Sequence, residues 1–217
     1  MNQAVCPAVR EDELVWRSFN RRTNGFFVEV GANEPQQGSQ TWLLEQRGWR
    51  GILVEPLPQY HARLETNRPG SRLFKVACGP AVHAPAGEFF ESATPAHSSF
   101  KPHAVDAQTE YVRRLTVPIL SLNEILAEAG SPKVDFVSID VEGAQLDVLE
   151  GFDLGRHRPG LLLIEDHLRS LSCHHYLRKQ KYRLVKRTGL NNWYIPQDEP
   201  FSLVVEDYSA ALVRPAP

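Results

Sequence analysis

Two hydrophobic rhythms alternate along this chain: short unbroken apolar runs, and stripes at three- and four-residue spacing. The runs Phe26-Phe-Val-Glu-Val30, Gly51-Ile-Leu-Val-Glu55 and Leu73-Phe-Lys-Val-Ala77 are too short for helices and predict buried strands. Val134-Asp-Phe-Val-Ser-Ile-Asp140 and Leu161-Leu-Leu-Ile-Glu165 predict two more, each ending in acid. Between them lie helical stripes: Leu14, Val15 and Phe19 within 11–20; Trp42 and Leu43 after a cap at Ser39; Tyr60 and Leu64 after Pro58. Further on, Ser121-Leu-Asn-Glu124 is a capping box ahead of Leu122, Ile125, Leu126 and Ala129, and Leu146, Leu149 and Phe152 form the next stripe. A helix over 171–180 precedes a closing antiparallel pair, 182–186 with 192–195, in which Trp193 and Tyr194 pack.

Strand and helix alternation predicts an α/β fold, a Rossmann-like, doubly wound, mostly parallel sheet with a closing antiparallel strand pair. A chain of 217 residues suits one domain. Residues 1–24 read as a helical extension, 25–196 as the core, 79–116 as an irregular, proline-interrupted insertion in which Phe89-Phe90 suit the start of a short strand, and 197–217 as a tail. In that tail, Phe201-Ser-Leu-Val-Val205 suits an added strand, a lid or a homodimer contact.

A net charge of -2 lacks the basic footprint expected of a protein whose main partner is nucleic acid. Cys6, Cys78 and Cys173 are few and far apart, which fits a reduced, cytoplasmic setting. Glu11, Asp12 and Glu13 stand where a signal peptide would need an apolar core, and no run reaches the length of a membrane span.

In open α/β sheets, ligands bind beyond the carboxyl ends of the strands. Asp140, Glu165 and Asp166 would converge there, and three carboxylates at one rim suggest a cation. Glu29-Val-Gly31-Ala-Asn33 ends the first strand, where a glycine lets a ligand approach the backbone. The loop lacks the second and third glycines of a dinucleotide fingerprint, which argues against a nicotinamide- or flavin-dependent oxidoreductase. Glu55 at the tip of the second strand can accept both hydroxyls of a ribose. A nucleoside without pyrophosphate fits, and S-adenosylmethionine is the common one.

The segments 26–33, Gly48-Trp-Arg-Gly-Ile-Leu-Val-Glu-Pro56 and Val134 to Asp153 resemble those of FkbM-type methyltransferases, and the resemblance runs from Phe26 to Pro196. Where that family's loop reads V-G-A-N-D-G, this chain has Glu34-Pro35. The resemblance implies a class I methyltransferase fold, with Glu29, Gly31 and Asn33 at the methionine end, Glu55 on the ribose, and Ala77 with Cys78 beside the adenine. Ser39 would both cap its helix and meet the methionine carboxylate, and Ser98-Ser99 resembles a serine pair of the family. A small buried apolar role is the other reading of Cys78.

Asp140 with Glu165 and Asp166 resembles the metal site of magnesium-dependent small-molecule O-methyltransferases, since magnesium takes oxygen ligands and lowers the pKa of a bound hydroxyl. Asp140 is the expected catalytic acid-bearing position and His167 the expected general base. Glu142 is expected to start the following helix. His167, His174, His175 and Asp166 lack a zinc-ligand spacing. The expected activity is O-methylation of a small molecule such as a sugar or natural product. The rival reading is a catalytically silent nucleoside-binding or scaffolding domain.

Overall fold

Four of the five apolar runs become strands buried along nearly their whole length, and the computed structural model describes residues 10–82, 84–94, 97–101, 108–166 and 171–203. In chain order the elements are α1 (Glu11–Ser18), β1 (Phe26–Val30), α2 (Trp42–Gln46), β2 (Arg50–Val54), α3 (Pro58–Asn67), β3 (Ser71–Phe74), β4 (Ala77–Gly79), β5 (Ala86–Ser92) and β6 (Tyr111–Ser121). The second half adds α4 (Leu122–Glu128), β7 (Phe136–Ile139), α5 (Gln145–Glu150), α6 (Leu154–His157), β8 (Leu161–Glu165), α7 (Ser172–Lys179), β9 (Tyr182–Thr188) and β10 (Asn191–Pro196).

The main sheet has seven strands in the order β3-β2-β1-β7-β8-β10-β9. The first five run parallel, while β10 runs antiparallel to both β8 and β9. Alternate residues of each strand serve opposite faces. Val28, Ile52, Val137 and Leu162 pack with Leu122, Ile125, Val148 and Leu177 from α4, α5 and α7. Phe27, Leu53, Phe136 and Leu163 pack with Val15, Leu44 and Leu64 from α1, α2 and α3. The chain therefore winds outward twice from its centre, and the order reverses between β1 and β7. Crevices form at such a reversal because the connections leave in opposite directions. The Ser121–Glu124 capping box forms as read, Ser121 Oγ accepting from Glu124 N and Glu124 accepting from Ser121 N. Trp193 and Tyr194 are buried.

Two expectations need correction. The predicted third strand, 73–77, is broken in two. β3 ends at Phe74 because its sole neighbour β2 ends opposite it, at Val54. The chain then pairs Ala77–Gly79 with β6 in a second sheet of order β4-β6-β5. The segment 79–116, read as irregular, holds β5 and half of β6 in an antiparallel hairpin. Its pattern hides the strands because the outer face of β6 carries exposed Val112, Arg114, Thr116 and Pro118. Phe201–Leu203 form no strand, and the tail from residue 204 onward lies outside the described residues. Among the described residues no helix is long and apolar enough to cross a membrane.

Candidate active site

The crevice is built from the backbone outward. Gly31 and Ala32 both donate to the carbonyl of Val54, and Asp140 N donates to the carbonyl of Val30, which ties together the ends of β1, β2 and β7. Gly31 sits at φ +86°, and a Cβ on it would lie 1.8 Å from the carbonyl oxygen of Asp140. The close approach that demands glycine thus comes from the neighbouring strand. Gly31→Ala is expected to destabilise the fold by at least about 1–3 kcal/mol, the scale of a strained backbone conformation, and to displace Asp140. Urea titration checks the first effect, and an unchanged midpoint would contradict it.

Beyond Gly31 the loop to α2 is folded around a buried carboxylate. Glu29 accepts from Ser39 Oγ (3.0 Å), Gln40 N (3.0 Å), Thr41 Oγ1 (2.6 Å) and Arg68 Nη1 (3.4 Å). Ser39 Oγ in turn accepts from Thr41 N and Trp42 N, so it braces the approach to α2, but the N-cap position itself is Thr41 rather than the expected Ser39. Glu29 and Ser39, expected to hold the methionine end, border the crevice, but their polar atoms hold the loop itself. Arg68 was not singled out from the sequence. It is 1% exposed and also donates to Glu45, Thr41 and the carbonyl of Pro35. No local pattern marks it, because its partners come from β1, the following loop and α2.

The crevice opens into a cavity of about 490 Å³ lined by Gly31, Asn33, Glu55, Ala77, Cys78 and Asp140 among others. Glu55, 4% exposed, accepts from the amides of Asn33 and Leu57, both at 2.8 Å. Burial pushes its carboxyl up to about 7, against the pull of those two amides. Cys78 is buried, and burial raises its thiol, so it serves here as a small wall residue. Asn33 has φ +46°, and its buried Oδ1 finds no hydrogen-bond partner among the described residues. An orphaned acceptor beside acidic groups suits a ligand carrying an ammonium group. Glu55, Asn33, Ala77 and Cys78, the residues that the family resemblance assigns to S-adenosylmethionine, thus border one cavity whose donors and acceptors are compatible with that group.

At the other side of the cavity, carboxylate oxygens of Asp140, Glu142 and Glu165 all lie within 4.8 Å of one another. Glu142 takes the place expected for Asp166. Successive residues at a strand end point to opposite sides, so Glu165 and Asp166 cannot both face the cluster. The backbone of Asp166 instead pairs with Leu190 and Arg187. Glu142 does not start a helix: it lies before the Ala144 cap of α5 with φ +49°. Its carbonyl accepts from Ser99 Oγ at 2.7 Å, which gives one serine of the Ser98-Ser99 pair a role in fixing the acidic loop. Burial first, and then the charge of Asp140, pushes Glu142 up to about 7, and burial also raises Glu165. His167 lies outside the described residues, whereas His97, which the sequence reading passed over, borders the cavity. His174 and His175 lie on α7, and Tyr194 Oη meets His174 Nδ1 at 3.4 Å.

Residues 29–184 match the family model described as the methyltransferase FkbM domain. No curated protein sequence matches the chain. Among solved structures, it is similar to a precorrin-6y C5,15-methyltransferase from Geobacter metallireducens GS-15 at 12% identity and TM-score 0.45, over 89% of this chain and 91% of that one. It is also similar to a methyltransferase from Geobacter sulfurreducens at 15% identity and TM-score 0.45, over 88% and 81%. A third is TrmK of M. capricolum in complex with S-adenosylhomocysteine, at 8% identity and TM-score 0.38, over 88% and 69%. The family assignment rests on the sequence match, which spans most of the chain.

Proposed function

The chain belongs to the FkbM methyltransferase family and takes S-adenosylmethionine as its cofactor, and from that premise we propose that it methylates a hydroxyl oxygen of a small-molecule acceptor with help from magnesium. One observation supports this reading: Asp140 and Glu142, two members of the acidic cluster, line the same cavity as Glu55, Ala77 and Cys78, which puts carboxylates beside the space this proposal gives to cofactor and acceptor. When bound, S-adenosylmethionine supplies a methyl group made electrophilic by its sulfonium. As the oxygen–carbon bond forms and the carbon–sulfur bond breaks, the hydroxyl must lose its proton. A carboxylate within hydrogen-bond reach can receive it, whereas a neutral amine needs no such acceptor before it attacks. Asp140 is the residue we place nearest this transfer, with His167 the alternative base. Asp140, Glu142 and Glu165 would hold the magnesium, whose charge offsets their mutual repulsion and lowers the pKa of a bound hydroxyl.

The test is transfer of labelled methyl to a panel of hydroxylated acceptors, run with and without chelator. Label is expected on oxygen, with activity lost to chelator and restored by magnesium. Label confined to nitrogen or carbon acceptors would overturn the oxygen specificity. Chelator-indifferent turnover would remove the metal while leaving proton acceptance to the carboxylates.

Glu55 gives a second handle. Ribose hydroxyls donate to a carboxylate, so binding favours the ionised form of a group that burial holds near 7. Affinity for S-adenosylhomocysteine should therefore weaken as pH falls below about 7, approaching tenfold per unit, because a proton must first be released. Calorimetry from pH 5.5 to 8 reads this directly. Glu55→Gln should flatten the profile and weaken binding above pH 7 by about 1.5–3 kcal/mol, the scale of hydrogen bonds to a charged group. A Gln variant with the wild-type profile would assign the titration to Glu142 instead.

A further inference from the structure

The buried face of α5 has one member out of character. Gln145, Val148 and Leu149 recur at three- and four-residue spacing and are all buried, a pattern that calls for an apolar side chain at 145 as well. Burying an amide there costs free energy unless it is hydrogen-bonded. Gln145 Nε2 donates to Oε2 of Glu165 at 3.5 Å, and both residues are 7% exposed. At that length the amide steers the carboxylate rather than clamps it.

Asp140, Glu142 and Ala144 line the cofactor cavity, whereas Gln145 and Glu165 belong to the layer behind its wall. Glu165 thus joins the acidic cluster from the end of β8, and the turn of its side chain decides whether an oxygen reaches those of Asp140 and Glu142. The other two members have their own supports: Asp140 through its amide on the Val30 carbonyl, Glu142 through its carbonyl on Ser99 Oγ. Burial raises the Glu165 carboxyl, and its hydrogen bonds to Asp140 and Gln145 pull against that rise. The side-chain chemistry at 145 matters. A Lys or Arg would neutralise Glu165 and compete with a cation, a carboxylate would add repulsion, and an apolar residue would donate nothing. An amide donates without charge, so it orients a carboxylate and leaves its charge to a cation.

We propose that Gln145 is a positioning residue of the acidic cluster, turning Glu165 so that it shares a divalent cation with Asp140 and Glu142. The inference rests on the magnesium-assisted reading above and adds to it a residue that acts only through another.

The experiment is titration of the full chain, with S-adenosylhomocysteine bound, by Mn2+, which takes oxygen ligands as magnesium does and is followed by its electron paramagnetic resonance. Wild type is expected to withdraw Mn2+ from solution, and Mg2+ to displace it. Gln145→Met, which fills similar space without a donor, should weaken Mn2+ about tenfold or more, the scale of a lost outer-sphere partner. Gln145→Asn, whose amide is one methylene short, should weaken it similarly and keeps the test informative if Met disturbs α5. Calorimetry should show S-adenosylhomocysteine affinity unchanged in both, since Gln145 does not line the cavity. Because Gln145 acts through Glu165, adding Gln145→Met to Glu165→Gln should cost no further Mn2+ affinity. A further loss in that double variant overturns the positioning role, as does a wild-type affinity in both single variants, and either result leaves the metal reading standing. Loss of S-adenosylhomocysteine together with Mn2+ would make Gln145 a packing residue and overturn it too. Wild-type protein that binds neither ion would overturn the metal reading itself, and the role of Gln145 with it.

Discussion

Asp140→Asn is expected to lower turnover by about a hundredfold or more while affinity for S-adenosylhomocysteine stays near that of the wild type, the pattern of a residue whose contribution is made in the transition state. The geometry explains both halves. Asp140 is fixed by its own amide to the Val30 carbonyl, and its backbone lies against Gly31, so an isosteric amide leaves the strand ends and the cofactor wall in place. The side chain, however, shares a cluster with Glu142 and Glu165. An amide there can neither take up a proton nor contribute charge to a cation. Single-turnover kinetics on an identified acceptor, paired with calorimetry, would measure the split. A variant turning over at the wild-type rate would remove Asp140 from the chemistry, and a parallel loss of cofactor affinity would make its role structural. Normal cofactor binding in a protein that transfers methyl to nothing would favour the silent-domain reading.

Arg68→Met should cost about 3–5 kcal/mol of stability, the scale for removing one partner of a buried ionic network. Arg68 is the cation that faces both Glu29 and Glu45, and each is almost fully enclosed. Without it, two carboxylates must stay charged in a poorly solvated site, take up protons or drag water inward. The loss should also fall on the loop between β1 and α2, since Arg68 reaches the carbonyl of Pro35 and the hydroxyls of Ser39 and Thr41. Cofactor affinity should therefore drop with stability. Urea denaturation and S-adenosylhomocysteine titration of the same variant check the pair, and a variant as stable as wild type would show that the network is replaceable. Arg68→Lys should recover only part of the loss, because one ammonium cannot reproduce a planar guanidinium that donates to several groups at once.

The arrangement of sheet and helices was legible in the chain because it depends on periodicity. Apolar runs at 26–30, 51–55, 136–139 and 161–165 admit only doubly covered strands, and the stripes between them admit only helices packed on those faces. The acids at strand ends were legible for the same reason: a charged residue closing a buried run must emerge at the rim. Which of them meet was not. Whether Glu142 or Asp166 joins Asp140 and Glu165 depends on the strand alternation at 165–166 and on a left-handed backbone at 142, held by a serine from a distant hairpin. The hairpin itself hid because its outer face mixes Val112, Arg114, Thr116 and Pro118 and shows no apolar alternation, and its strands are stabilised by pairing 86–92 with residues near 111–118 rather than by a local apolar run.

The sequence by itself determined the α/β class, the order of its elements and the family to which the chain belongs, because these follow from local patterns of burial and from motifs contiguous along the chain. Only the tertiary structure decided the inner working of the site. It spent Glu29 and Ser39 on holding a loop, recruited Arg68, and gave Gly31 its close approach to a neighbouring strand. Each of these depends on residues far apart in sequence meeting in a poorly solvated place. There the cost of an unpaired charge or a clashing atom is set by the neighbour across the sheet, and no pattern along the chain encodes it.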